Sequence, residues 1–326
     1  MTALIIGANG QDASYLAELL LEKGYDVHGT IRRNSVPESQ TTRIQGIFEQ
    51  GKIKLHYADL TDAISVEQVI KDLQPDEVYH LAAQSHVQIS FELPKYTLDT
   101  NCGGTLAVLE AVRRFSPHSK VYFAATSEMF GNNYDPDKFQ RETTKMVPVS
   151  PYGCSKLYGF NLCHNYRNAY NMFIASGILF NHESPRRGIN FVTNKVAMNA
   201  VKIFYNKQKT LHLGNLDACR DWGHAKDYVD AMWRMLQQDT PKDYVIATGQ
   251  SRSVETLVET VFSKLDIDWR EHVVVDEKYM RPEELDFLKG DSSLAKKELG
   301  WKQNISFDKM IDEMVEYWLK TLKPIP

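Results

Sequence analysis

With 326 residues, 43% of them hydrophobic, the chain is long enough for one large domain with an appended lobe, or for two domains around a sizeable core. Its 38 basic and 42 acidic side chains nearly cancel to a formal charge of -4, which excludes the basic footprint of a nucleic-acid partner while leaving room for a few arginines on a small phosphorylated ligand. Cys102, Cys154, Cys163 and Cys219 form no Cys-x-x-Cys pair and have no metal-type histidine spacing, so reduced thiols and no metal are expected.

The chain opens on a short apolar strand, TALIIG, too brief for a signal-peptide core, and no later run reaches membrane-spanning length, so a cytoplasmic protein is expected. An amphipathic helix, QDASYLAELLLEKG, and a second strand, DVHGTI, follow. The alternation continues through strand IKLHYADL, helix SVEQVIKDL, strand EVYHLA, helix TLAVLEAVRRF and strand KVYFAAT, then a helix carrying Tyr152 and Lys156 and the strand FIASGILF. Such alternation predicts an α/β fold with helices on both faces of a parallel sheet. Beyond residue 180 the periodicity becomes irregular until the amphipathic ISFDKMIDEMVEYWLKTL, and no repeat or flexible linker separates a second lobe. The expectation is a Rossmann-type doubly wound parallel sheet in residues 1–180 and a smaller C-terminal α/β substrate-binding lobe in 181–326, some segments of which return to the first.

Between the first strand and its helix, GANGQDA spaces Gly7 and Gly10 as G-x-x-G, with Ala13 where a third glycine often sits. A turn without side chains lets backbone amides at a helix N-terminus approach a pyrophosphate. At the end of the second strand stand Arg32 and Arg33 in place of the acid that binds the ribose of NAD; this favours the 2'-phosphate of NADP, the other reading being a pair of solvated arginines. Asp59 and Leu60 follow the third strand and Leu81, Ala82 and Ala83 the fourth, at the carboxyl ends where an open sheet binds its ligand. The aspartate suits an adenine amino group and the small residues suit close packing on a cofactor.

Tyr152 and Lys156 in SPYGCSKLYG lie one helical turn apart. Alone, the pair fits any helix that tolerates both. The fifth strand, however, ends in AATSEMFG and brings Thr126, Ser127 and Glu128 to the same sheet edge. A tyrosine of ordinary pKa, about 10, becomes a base near neutral pH only if its phenolate is stabilised, as a neighbouring ammonium and an oxidised nicotinamide would do.

Over nearly its whole length the sequence resembles the extended short-chain dehydrogenase/reductase superfamily and, within it, the GDP-mannose 4,6-dehydratases. It rests on GANGQDASYLAELLLEKGYDVHG, YHLAAQSHVQISFELP, TSEMFG, SPYGCSKLYG, GILFNHESPRRG, LGNLDACRDWGHAKDYV, YVIATGQSRSV, RPEE and GDSSLAKKELGW. The resemblance implies an NADP-dependent hydro-lyase that acts on a GDP-sugar. Tyr152 would take the proton of the 4-hydroxyl, Lys156 hold the phenolate and the ribose, Thr126 bond the oxygen at carbon 4, and Glu128 remove the carbon 5 proton. Gly7, Asn9, Gly10, Gln11, Asp12, Arg32, Tyr96, His182 and Arg187 fall at cofactor positions. Ser85, Asn181, Lys195, Arg220, Arg281 and Glu284 fall at substrate positions. Relatives carry an arginine where Asn194 stands here. Their loop after the paired arginines, here residues 34–44 with a different sequence, reaches a neighbouring subunit; a homo-oligomer, dimer or tetramer, is implied. A GDP-linked heptose would keep every catalytic group. A nucleotide-sugar reductase or epimerase of the same fold would not need Glu128, nor would an NADP sensor that had lost catalysis.

Overall fold

The computed structural model describes residues 1–35 and 41–324; residues 36–40, in the loop expected to reach a neighbouring subunit, lie outside the described residues. The first half runs β1 (Thr2–Ile6), α1 (Gln11–Glu22), β2 (Asp26–Ile31), α2 (Gln45–Glu49), β3 (Ile53–Tyr57), α3 (Ala63–Leu73), β4 (Glu77–His80), α4 (Val87–Glu92), α5 (Pro94–Leu98), a π turn (Asp99–Gly103), α6 (Gly104–Phe115), β5 (Lys120–Thr126), α7 (Pro151–Tyr170) and β6 (Ile174–Leu179). The second half runs β7 (Asn181–Glu183), α8 (Val192–Phe204), β8 (Leu211–Leu213), β9 (Cys219–His224), α9 (Ala225–Leu236), β10 (Asp243–Ile246), β11 (Ser251–Ser253), α10 (Val254–Ser263), β12 (Val273–Val275), α11 (Ser293–Leu299) and α12 (Phe307–Leu322).

Seven strands pair in the order β3-β2-β1-β4-β5-β6-β10, all parallel. The sheet is therefore doubly wound, and its order reverses between β1 and β4, where an open α/β sheet forms a crevice. Both faces are covered, which is why the strands read as unbroken apolar runs. Along β1 alternate side chains enter different cores. Ala3 and Ile5 pack with α1, α9 and α11, whereas Leu4 and Ile6 pack with α3, α6 and α7. A third core, built around Trp222 and the apolar faces of α8, α10 and α12, forms the smaller lobe. That lobe carries a three-stranded sheet, β11-β9-β7, and a two-stranded one, β12-β8.

No helix among the described residues is long and apolar enough to cross a membrane.

Candidate active site

A cleft of about 850 Å³ opens at the carboxyl ends of the large sheet, between it and the smaller lobe. On the sheet side, Gly7 adopts φ +91°, and a Cβ there would lie 2.8 Å from the Cβ of Ala82. Only glycine fits this close approach of the β1 and β4 loops. Gly10 then serves as N-cap of α1, and no described side chain caps it. The residues of this first turn, Gln11, Asp12 and Ala13, line the cleft with Gly10, so their uncapped amides stand at its wall, where an anion would be met. This bare, sharply turned backbone fits the pyrophosphate of a dinucleotide.

Asp12, in that first turn, accepts from His182 Nε2 at 2.7 Å, while Nδ1 of His182 donates to the Phe180 carbonyl at 2.7 Å. Burial works against charge on both partners, but their attraction outweighs it. The imidazole is held above its ordinary value and the carboxyl below. Gln11 ties the same turn to the His182 carbonyl (3.1 Å) and to Ser184 Oγ (2.8 Å). Arg187 lies with its guanidinium 3.6 Å from the Phe191 ring centre.

The catalytic candidates come from two consecutive elements. Thr126 ends β5, and its hydroxyl accepts from the Glu128 amide at 3.3 Å, capping a 3-10 turn that turns Glu128 into the cleft. Ser150 caps α7 by accepting from Gly153 N at 3.0 Å, with Pro151 in the first turn, so Tyr152 and Lys156 occur in its first two turns. Gly159 lets α7 approach β5; a Cβ there would meet Phe123 at 2.7 Å. Burial pushes the Tyr152 phenol up to about 12, the Thr126 hydroxyl opposing and the Glu128 carboxylate adding. Burial likewise pulls the Lys156 ammonium down to about 8, and its Nζ donates to the Ala124 carbonyl at 2.8 Å. The lysine thus starts anchored to β5 rather than to the tyrosine hydroxyl.

At the lobe end, charge is met by charge. Glu284 Oε1 accepts from Arg220 Nη2 at 2.8 Å and from Arg281 Nη1 at 3.1 Å. Arg220 is also held by the carbonyls of Leu285 (2.7 Å) and Cys219 (3.0 Å). Its neighbour Asp221 does not pair with it but accepts backbone amides of Thr248, Gly249 and Gly290. Lys195 donates to the His212 carbonyl at 2.7 Å and lies 3.8 Å from the Tyr279 ring centre. Asn181 lines the cleft with its Oδ1 buried and without a hydrogen-bond partner among the described residues. Such an orphan acceptor is costly until a ligand donor meets it.

The cleft lining brings together Gly7, Gly10, Gln11, Asp12, Leu81, Ala83, Ser85, Thr126, Glu128, Tyr152, Lys156, Asn181, His182, Arg187, Lys195, Arg220, Arg281 and Glu284. Asn9, Arg32, Asp59, Leu60, Ala82 and Tyr96 lie outside this lining. Ala82 backs Gly7, and the Asn9 carbonyl accepts from Arg43 at 3.0 Å. Arg32 donates to the Tyr96 hydroxyl at 2.6 Å. Asp59 accepts from the amide and hydroxyl of Thr61, and Leu60 packs under Gly104.

Sequence reasoning missed Asn101, in the π turn before α6. Its side chain donates to Gln84 O (3.0 Å) and Ser155 Oγ (2.9 Å) and accepts from Gln84 N (2.8 Å), tying the β4 loop to α7 beside Lys156. In the run DTNCGGT it stands among other polar residues and glycines, so no local pattern marked it. Asn194 is buried and structural: it accepts from Trp318 Nε1 at 2.6 Å and donates to the Arg187 carbonyl at 2.5 Å.

The model of the family described as GDP-mannose 4,6 dehydratase matches residues 4–314. The GDP-mannose 4,6 dehydratase of Homo sapiens is 47% identical, with 99% of this chain and 93% of that one covered. GDP-mannose 4,6 dehydratase 2 of Arabidopsis thaliana is 50% identical (98% and 87%), and the Vibrio cholerae GDP-mannose 4,6-dehydratase 45% (96% and 92%). Among solved structures, UDP-glucose 4-epimerase of Thermotoga maritima, with UDP-glucose, superposes with a TM-score of 0.87 at 24% identity over 99% of this chain and 100% of that one. A dTDP-glucose 4,6-dehydratase from Bacillus anthracis, in complex with NAD, gives 0.84 at 22% identity (98% and 97%). At those identities the structures speak for the fold.

Proposed function

The chain belongs to the GDP-mannose 4,6-dehydratase family, and from that membership we propose that it converts GDP-mannose to GDP-4-keto-6-deoxy-mannose and water, with NADP retained through each cycle. One observation carries this reading: Glu128 shares a cleft with Thr126, Tyr152 and Lys156. A reductase or epimerase could work with the last three; a dehydratase also needs a base for carbon 5.

The bare glycine turn at Gly7 and Gly10, with Gln11, Asp12, His182 and Arg187, would hold the pyrophosphate and nicotinamide halves of the cofactor. Arg32, steadied by Tyr96, would meet the 2'-phosphate that distinguishes NADP. When bound, the nicotinamide supplies a hydride acceptor for carbon 4, a donor for carbon 6 and, when oxidised, a positive charge beside the phenol. Tyr152, whose buried phenol is a poor base by itself, takes the proton of the 4-hydroxyl once that charge and the Lys156 ammonium oppose the effect of burial. Thr126 holds the oxygen at carbon 4. The resulting ketone acidifies the proton on carbon 5; Glu128 removes it, the electron pair forms the carbon 5–carbon 6 double bond, and the carbon 6 hydroxyl leaves as water with the proton that Glu128 gives back. Carbon 5 then takes a proton from solvent as carbon 6 is reduced, which leaves the 4-keto-6-deoxy sugar. Asn181, Lys195, Arg220, Arg281 and Glu284 hold the GDP, the arginines on the diphosphate and the carboxylate on the ribose diol.

Incubation with GDP-mannose should give a product lighter by one water in the mass spectrum. Substrate deuterated at carbon 4 should carry the label into the new methyl group without net use of NADPH. An unchanged mass, or stoichiometric NADPH consumption, would sink the proposal.

A further inference from the structure

The base and the nucleotide end of the cleft share one arginine. Arg281 Nη1 lies 3.1 Å from Glu284 Oε1 and 3.9 Å from Glu128 Oε1. Its neighbour Arg220 is fixed: buried, it donates to two backbone carbonyls as well as to Glu284. Arg281 has a side chain 27% exposed, and the two carboxylates are what it rests on. It is thus the member of the cluster able to move, and nothing but Coulomb attraction ties it to Glu128 at that separation. A diphosphate is a stronger acceptor for a guanidinium than a carboxylate 3.9 Å away, because it carries more charge and accepts bidentately.

We propose that Arg281 is shared between Glu128 and the substrate's diphosphate, so that nucleotide binding draws the guanidinium from the carboxylate and frees Glu128 to act on the sugar. Arg281 is thereby a positioning residue for Glu128 as well as a nucleotide contact. Coupling between two sites is reciprocal: if the nucleotide loosens Arg281 from Glu128, then removing the Glu128 charge must strengthen nucleotide binding through Arg281. GDP alone, which has no sugar to touch the base, must feel that removal.

The coupling rests on the nucleotide reading above, and calorimetric titration of the full chain with GDP separates the two. Glu128→Gln should bind GDP about threefold to tenfold tighter than wild type, the range of a partly screened charge pair. Arg281→Gln should bind it more weakly, and adding Glu128→Gln to Arg281→Gln should then change the affinity by less than about 1.5-fold. Glu128→Ala repeats the readout should the glutamine variant not fold. Unchanged GDP affinity in Glu128→Gln would overturn the sharing of Arg281. So would a tightening that persists undiminished without Arg281, since that would be plain repulsion between carboxylate and diphosphate. Wild-type protein that fails to bind GDP would instead overturn the nucleotide reading, and the coupling with it.

Discussion

Tyr152 and Lys156 at the sheet end of the cleft are buried, as is Arg220 at the lobe end, where Arg281 and Glu284 are partly exposed beside it, yet the two groups of ionisable side chains are held differently. At the sheet end burial dominates: it pushes the phenol up to about 12 and the ammonium down to about 8, so both groups are biased toward their neutral forms. At the lobe end burial draws Arg220 below its ordinary value as well, but a guanidinium starts so high that it stays charged, each arginine has a carboxylate within reach, and Arg220 has two carbonyls besides. The difference separates moving a proton from holding a charge. A group that must gain and lose a proton is left dependent on what binds next to it, whereas a group that must grip a fixed anion is kept charged beforehand.

The largest effect should come from removing a proton acceptor from the sheet end. Glu128→Gln keeps the shape of the side chain and should lower turnover by about 10³-fold, the scale of a general base, with cofactor binding intact. A variant with normal turnover would remove Glu128 from the mechanism and with it the contrast between the two ends. Next comes Arg32→Ala, at a position that holds charge. NADP affinity should fall about 10- to 100-fold in a fluorescence titration, and NAD affinity less than about threefold, since a charge-assisted bond to the 2'-phosphate is lost with one cofactor only. Equal losses would show that Arg32 does not read that phosphate. The smallest effect sharpens the comparison most. Lys156→Met should raise the free energy of unfolding at pH 7 by about 1–3 kcal/mol, because the buried ammonium is penalised and its bond to Ala124 recovers only part of the penalty. The native value, about 8, lies below the ordinary 10.5. The penalty is therefore full below pH 8 and fades as pH rises toward 10.5, where the unfolded chain still binds the proton that the native chain has shed. Urea unfolding at pH 7 and pH 10 should show the gap between Lys156→Met and wild type narrowing; a constant gap would mean that burial does not disfavour this charge.

The first half of the fold was legible because parallel strands covered on both faces are unbroken apolar runs, and β1 to β6 appear where such runs stand. The stretch read as irregular holds α8, α9 and α10, separated by strands as short as β8 and β11, three residues each. Strands that short carry too few residues for alternation to register. The site divides the same way. Gly7, Thr126 and the Tyr152–Lys156 pair depend on local spacing and could be read from it. The proximity of Arg281 to Glu128 depends on how the lobe folds over the sheet, and only the resemblance put Arg281 in the site. Nor could spacing show that Lys156 would be anchored by Ala124, or that Asn194 would serve Trp318 and the Arg187 carbonyl.

The last strand of the large sheet has a consequence for how the protein is made. β10 lies against β6 from Asp243↔Ser176 to Ile246↔Leu179, and Asp243 clamps the join through Arg167 (2.6 Å) and the Ser176 amide (3.1 Å). All six residues of β6 are buried. A ribosome that has just produced β6 must therefore add roughly 65 more residues before its neighbour exists, about 3–13 s at ordinary rates of synthesis. During that interval the nascent chain presents an apolar strand edge open to pairing with other chains. The delay belongs to the topology, so every slowing of translation across residues 180–243 lengthens the time for which newborn chains depend on chaperones.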